Sequence, residues 1–367
     1  MNVVHVVGNL YKDSGGAQRI ILGICKHTDR KSLYNEVFYL FGSGSLSENF
    51  PNKTKINKIG KKESIISKIL GLKGLSNRVN IDIIHTHSPI ARICTYMSGV
   101  HRSASVVVST VHNQYDEYAP HWKMSEYVLL RASDVVVAVS DKVHESVDFL
   151  SGDVETIHNG IETNRFKDKK NNGLNNIRGE IGIESSDKVI VTVGSLAEQK
   201  GHKYLIRAVD IAADKYKGVN LLIVGSGPLR EDLESLAESC NNSNSIHFLG
   251  GRSDVAAILR GADVFVFPSL WEGFGLALLE AMYVGLPAVA TDLDVFKEVV
   301  GDNVTYVEPK NEHDLADKLL HILENYEEEK ERAKKGKRLI EKKFTMRVCA
   351  KRYQSLYKEI FYNKKER

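Results

Sequence analysis

Short runs rich in Val and Ile alternate with helical patterns along this chain, and that alternation restricts its fold more than any other feature. Strand-like runs in the first half are Val3–Gly8, Glu36–Phe41, Asp82–His85, Ser105–Thr110, Asp134–Val139 and Val154–Ile157. Those in the second half are Lys188–Gly194, Val219–Gly225, Ser245–Leu249, Asp263–Pro268, Pro287–Thr291 and Val304–Val307. Helical patterns such as Ala17–His27, Met124–Ala132, His202–Ala213, Leu229–Ser239 and Gly275–Tyr283 fall between them. Strands that are apolar at nearly every position are buried on both faces, so the pattern predicts an α/β class with parallel, doubly wound sheets. Ligands of such sheets bind beyond the carboxyl ends of the strands.

A chain of 367 residues is long for one core and suits two domains. The break follows Asn159-Gly160, where Thr163–Ser186 turns polar and rich in Lys, Asn and Gly. The chain finishes in an amphipathic segment, Met346–Phe361, after a highly charged helical stretch.

The most informative motif is Trp271-Glu272-Gly273-Phe274-Gly275-Leu276-Ala277-Leu278-Leu279-Glu280-Ala281-Met282. Glu280 sits inside an apolar run, where a carboxylate is costly to bury unless something polar meets it. A helix that starts directly after Gly273 and Gly275 also presents free N–H groups and a positive dipole end, an anion site. A phosphate at the helix mouth and a sugar hydroxyl against each Glu satisfy these oddities together, which describes a sugar nucleotide. Other strand-to-helix loops carry weaker signals. Gly15-Gly16 opens the first helix without the G-x-G-x-x-G spacing, and an ordinary tight turn fits it equally. Lys200 stands at a helix entry, where a cation is disfavoured unless an anion lies beside it; a solvated loop lysine is the plainer reading. Among histidines, His85 and His87 read as structural, whereas His112 lies where a parallel sheet opens to its ligand. No metal-ligand spacing and no Ser–His–acid arrangement is legible.

Cys25, Cys94, Cys240 and Cys349 are far apart, without a C-x-x-C pair, which points to a reducing compartment and no zinc site. The sequence shows neither a signal-peptide pattern nor an apolar stretch of the roughly 20 residues that cross a bilayer, so a cytoplasmic protein is expected. Between Lys53 and Arg78 eight Lys or Arg face one acid, Glu63, and interleave with Ile65, Ile66, Ile69, Leu70, Leu72 and Leu75. That pattern is a basic amphipathic helix, either packed on the sheet or touching an anionic membrane surface at the inner face of the plasma membrane. It lacks the interleaved aromatics of a nucleic-acid surface, so no nucleic-acid partner is expected.

Taken together, these motifs resemble the family 4 retaining glycosyltransferases of the GT-B fold, over nearly the whole chain. The resemblance is carried by Gly15-Gly16-Ala17, Thr110 and His112, Asn159-Gly160-Ile161, Gly194, Lys200-Gly201 and Gly225-Ser226-Gly227-Pro228. Asp263 through Ser269, with Glu272 and Glu280, complete it and are the most specific part. It implies two facing Rossmann-like domains, an acceptor domain over 1–165 and a nucleotide-sugar domain over 166–345, with a helix in 346–367 returning to the first. By matching positions, Glu280 holds the ribose diol, Glu272 a donor-sugar hydroxyl, and Gly273, Phe274, Gly275 and Leu276 with Lys200 the diphosphate. Gly15 and Gly16 approach the same phosphates, His112 touches the donor sugar, and Gly251-Arg252 lie near the base. Lys200, Glu272 and His112 are the expected catalytic residues.

The implied activity is retaining transfer of a hexose or N-acetylhexosamine from a nucleotide diphosphate sugar, UDP rather than GDP, to a glycan or lipid-linked acceptor in surface polysaccharide synthesis. No cofactor and no metal are expected. Two positions depart from the pattern: Ser195 stands where many relatives carry Arg, and Leu293-Asp294 follow Thr291-Asp292 where many have paired glycines. A sugar-nucleotide epimerase of the same architecture, or an inactive nucleotide-binding subunit, are the competing readings.

Overall fold

The computed structural model describes all residues except 11–15, 30, 61, 76–79, 151, 168–177 and 367. The chain divides into two compact units, Met1–Gly160 with Met346–Arg367, and Ile161–Thr345.

The first unit holds a seven-stranded sheet in the order β3-β2-β1-β4-β5-β6-β7. Its strands are β1 (Asn2–Asn9), β2 (Tyr34–Phe41), β3 (Lys55–Lys58), β4 (Ile81–Thr86), β5 (Ala104–Val111), β6 (Val135–Ala138) and β7 (Val154–Thr156), and every neighbouring pair is parallel. The order reverses at β1, so right-handed crossovers send Gly16–His27 to one face of the sheet. Ile65–Lys73, Pro89–Ser98 and Pro120–Arg131 follow one another on the opposite face. The chain's last helix, Met346–Lys365, packs on Gly16–His27. Gly23 permits this contact, because a Cβ there would lie 2.2 Å from Met346 Cγ. From that helix Tyr353 and Tyr357 are fully buried; Tyr357 Oη lies 2.6 Å from His85 Nδ1, and Tyr353 Oη 3.3 Å from Thr110 Oγ1.

The second unit holds a six-stranded parallel sheet in the order β10-β9-β8-β11-β12-β13. Its strands are β8 (Lys188–Val193), β9 (Val219–Val224), β10 (Ile246–Gly250), β11 (Val264–Phe267), β12 (Ala288–Thr291) and β13 (Thr305–Val307). Val, Ile and Phe at 0–2% exposure fill β8 and β11, as strands covered on both faces require.

The structure corrects two expectations. The first unit ends at Gly160 rather than 165, because the next residues are tied to the second: Ile161 N–H donates to Phe344 O at 2.8 Å, and Arg260 reaches Phe166 O at 3.3 Å. The basic stretch 53–78 is not one helix. It contributes edge strand β3 and then the shorter helix Ile65–Lys73. The strand escapes hydrophobic patterning because three of its four residues are exposed, as suits a lysine-guarded sheet edge.

Candidate active site

At the carboxyl ends of β8, β9 and β11, glycines let three loops approach more closely than side chains would allow. Gly225, at φ +152°, would place a Cβ 1.7 Å from Gly194 O, and a Cβ on Gly227 would meet Leu196 N and O at about 2.5 Å. Gly201 has φ +61° and would drive a Cβ to 2.1 Å from Pro268 O. Hydrogen bonds then close the seam: Leu270 N–H donates to Gln199 O at 2.7 Å, and Gln199 Nε2 donates to Trp271 O at 2.9 Å.

This seam aligns Lys200 with Glu272. The Lys200 ammonium forms an ion pair with Glu272 Oε1 and lies 5.1 Å from the centre of the Phe267 ring. Ser269 Oγ donates to the same carboxylate oxygen at 3.0 Å. Glu272 is buried, and Lys200 is held against it rather than extended into solvent. The plain reading of Lys200 as a solvated loop residue therefore fails.

Immediately beyond, Gly275 at φ +88° starts the helix Leu276–Val284, and among the described residues this N-cap position supplies no side-chain capping hydrogen bond. A Cβ on Gly275 would collide with Phe296 Cε1 at 2.7 Å, so glycine is required here twice over. Phe274 packs edge-on against Phe344 and fixes the approach to the helix. The uncapped N–H groups and the dipole of this helix give a positive end beside the Lys200 ammonium.

Glu280 lies one turn along, 4% exposed, with Oε1 3.5 Å from Arg165 Nη1. Arg165 belongs to the short 3-10 segment Thr163–Phe166, whose Phe166 packs edge-on against Tyr283. Nothing in the sequence marks Arg165, an arginine in a polar linker; only the fold returns it to the apolar helix.

Other expected site residues are placed differently. Ser195 is exposed after β8, and its carbonyl accepts from Ala197 N–H at 2.9 Å. Gly251 and Arg252 follow β10, where the Arg252 guanidinium is held by both oxygens of Asp254 at 2.9 and 2.8 Å. That pairing pushes the arginine up and the carboxyl of Asp254 down from its ordinary value. Gly15 lies outside the described residues, and Gly16 opens the helix Gly16–His27 in the first unit.

His112 follows β5 in the first unit. Burial, reinforced by the Arg92 guanidinium, lowers it to about 3, so the ring is neutral. It stacks on His87 with centroids 5.9 Å apart, and its buried Nε2 finds no partner among the described residues. Behind it lies a histidine cluster that spacing in the sequence did not reveal: one ring nitrogen each of His5, His85 and His87 lie within 4.8 Å of one another. All but one of the six ring nitrogens are engaged, the exception being His87 Nδ1, which finds no partner among the described residues. His5 Nδ1 shares a hydrogen bond with His87 Nε2 at 3.1 Å, and His5 Nε2 pairs with Asn35 Oδ1 at 3.1 Å. His85 bonds Tyr357 and Thr110, so a metal ion held by all three rings would have to displace hydrogen bonds of His5 and His85.

Residues 14–165 match the family model described as Glycosyltransferase Family 4, and residues 175–339 match that described as Glycosyl transferases group 1. The N-acetyl-alpha-D-glucosaminyl L-malate synthase of Bacillus anthracis is 26% identical over 297 residues, 78% of this chain and 77% of that one. The UDP-Gal:alpha-D-GlcNAc-diphosphoundecaprenol alpha-1,3-galactosyltransferase of Escherichia coli is 29% identical over 249 residues, 62% of each chain. Among solved structures, HepE of Anabaena in complex with UDP and glucose superposes with a TM-score of 0.83 at 17% identity, over 98% of this chain and 100% of HepE. That likeness is one of fold. With both halves matched in order along the chain, this protein belongs to the family 4 glycosyltransferases of the GT-B fold.

Proposed function

We propose that this glycosyltransferase transfers a hexose or N-acetylhexosamine, with retention of configuration, from a nucleotide diphosphate sugar to a glycan or lipid-linked acceptor in surface polysaccharide synthesis. The observation that carries the reading is the uncapped, glycine-led mouth of Leu276–Val284 beside the Lys200–Glu272 pair. A leaving diphosphate gains negative charge as the anomeric carbon becomes cation-like. Preorganised N–H dipoles and one ammonium stabilise that charge without reorganising. An ammonium carries three donors, so Lys200 keeps Glu272 and still gives a hydrogen bond to a phosphate oxygen. In this role Glu272 aims the lysine and offers its remaining lone pairs to a hydroxyl of the donor sugar.

Glu280 is assigned the ribose diol. A carboxylate accepts from both hydroxyls at once, and its place one turn into the helix puts it behind the phosphate position. Gly251-Arg252 are assigned to the base through backbone groups, since Asp254 occupies the Arg252 guanidinium. His112, neutral and with an unpartnered buried nitrogen among the described residues, is assigned a hydrogen bond to a hydroxyl, which adds no charge to the site. The exposed Ser195 supplies a hydroxyl where a second cation would otherwise stand, which loads the charge stabilisation onto Lys200. The scheme uses no metal and no covalent carboxylate intermediate.

UDP is favoured over GDP because HepE holds UDP and the Escherichia coli relative is named for UDP-Gal. That relative's diphosphoundecaprenol acceptor likewise supports a lipid-linked acceptor. A thermal-shift screen of UDP- and GDP-sugars tests the donor, because a ligand bound to the folded state stabilises as the logarithm of its concentration over Kd. The expected result is a shift with UDP-sugars, followed by sugar transfer to a polyprenyl-diphosphate glycan. Turnover of the donor alone into an epimer, or nucleotide binding with no transfer to any acceptor, would replace this reading by an epimerase or an inactive subunit.

A further inference from the structure

The helix Ile65–Lys73 packs Leu72 and Ile69 on the core, yet it also buries a lysine and leaves large apolar side chains outside. Ile66 and Leu70 are 71% and 63% exposed, whereas Lys68 between them is fully buried. The buried ammonium is accommodated rather than stranded: Lys68 Nζ donates to Gly60 O at 3.2 Å, lies 3.6 Å from Glu63, and sits 5.3 Å from the centre of the Phe41 ring.

The helix is also locked in this rotation. A Cβ on Gly71 would lie 2.8 Å from Ile59 Cγ2 and 2.9 Å from Gly60 N, so the helix backbone rests directly on the Gly60 loop. Ser64 caps its start by accepting from Ser67 N–H at 3.3 Å. Rolling the helix to bury Ile66 would break both contacts. Ile66, Leu70 and Lys73, spaced i, i+4 and i+7, therefore share one outward face.

The neighbouring helices of the same layer extend that face. Pro89–Ser98 packs on Ile65–Lys73 and exposes Met97 to 68%; Pro120–Arg131 packs on Pro89–Ser98 and exposes Met124 to 70% and Val128 to 55%. Lys62 and Lys73 flank the first of these helices and are exposed, as are Lys53, Lys55 and Lys58 on and before the preceding edge strand, where Lys58 pairs with the one acid of the stretch, Glu63. A second copy of the chain would bring this basic rim against itself, which opposes pairing by like charge. A bilayer containing anionic phospholipid satisfies both features, taking the apolar side chains between headgroups and the lysines at its surface.

We infer that this three-helix face docks the protein on an anionic membrane surface, with Ile66 and Leu70 as its inserted side chains. The inference stands apart from the identity of the donor, because its test needs no turnover. The purified full-length chain is sedimented with vesicles of phosphatidylcholine alone and with vesicles that also contain phosphatidylglycerol, at low and high salt. The expected result is binding only to the second kind, weakened by salt.

The Ile66→Ser/Leu70→Ser double variant, at exposed positions, is expected to keep the parent's melting curve and to lose vesicle affinity by at least about tenfold. Lys62→Glu/Lys73→Glu is expected to weaken binding at low salt. Equal binding to both vesicle types, or a double variant that sediments like the parent, would overturn the inference. So would a parent dimer that the double variant dissolves with no vesicle binding in either protein, since a second copy would then be the occupant.

Discussion

Glu280 and Arg165 lie 3.5 Å apart at the side of an otherwise apolar helix, one carboxylate and one guanidinium from segments 115 positions apart in sequence. Arg165 is itself 36% exposed, so loss of its partner leaves the guanidinium in water rather than stranded in the core, and the pair contributes little to stability. The proposed ribose contact separates the two possible roles. Glu280→Leu is expected to leave the melting temperature nearly unchanged or raise it, while UDP affinity falls by about ten- to a hundredfold, as for loss of a charged hydrogen bond. Calorimetric titration with UDP checks this; an unchanged Kd would leave Glu280 with a purely structural role.

Lys200→Ala removes a cation paired with Glu272. The leaving diphosphate beside it gains negative charge in the transition state, so kcat should fall by about two to three orders of magnitude with KM much less affected. Lys200→Arg should restore only part of the rate, because a planar fork does not reproduce an ammonium wedged between Glu272 and the Phe267 ring. Steady-state kinetics of both variants settle the assignment, and a Lys200→Ala enzyme with parental kcat would remove the lysine from the mechanism.

The close-approach glycines should be among the least replaceable residues of the second unit. Gly201→Ala combines a positive φ with a Cβ driven into Pro268 O, so a loss of about 2–4 kcal/mol is expected. Gly285 also has positive φ, +87°, but nothing lies within 4 Å of its Cβ position, so Gly285→Ala should cost only about 1–2 kcal/mol. Urea unfolding of the two variants measures the difference, and equal losses would mean that the seam between the 199–201 and 268–272 loops is looser than described.

Buried histidines give the first unit a specific acid sensitivity. Burial lowers His5 to about 4, despite its bond to Asn35, and holds His85 and His87 well below their ordinary value. Between about pH 6.5 and 4 the unfolded chain takes up protons that the folded chain refuses. Stability is therefore complete above pH 6.5 and falls on acidification, by up to about 1.4 kcal/mol per pH unit for each such histidine. His5→Asn should flatten this slope between pH 6.5 and 4, whatever it does to stability at pH 8. Denaturation midpoints across that range test it, and a slope identical to the parent's would contradict the account.

Much of the fold was legible because fully buried parallel strands carry a strong local signal: Val189 through Val191 or Val264 through Phe267 admit no other reading. The strand β3 was not, since an exposed edge of Lys, Ile, Asn and Lys has no hydrophobic period to detect. At the site, Glu280 and the helix mouth announced themselves as a carboxylate and two glycines out of place in an apolar run. Their partners did not. Arg165 looks ordinary in sequence and acquires meaning only when the chain folds back on itself, and Ser269, though part of the motif, gave no sign that it bonds Glu272. The same holds for the histidine cluster, whose members His5 from β1, His85 from β4 and His87 just after it meet through the pairing of those strands. Ile65–Lys73 misled in the opposite sense, because Lys68 inside and Ile66 outside break the rule by which amphipathic faces are read, although Leu72 obeys it.

The most direct measurement is a crystal structure of the protein with bound UDP. The account predicts the diphosphate at the mouth of Leu276–Val284, within hydrogen-bond distance of the Gly275 or Leu276 N–H and of Lys200 Nζ, with the ribose hydroxyls on Glu280. A nucleotide bound elsewhere in the second unit, or one whose phosphates leave both that helix end and Lys200 untouched, would contradict it.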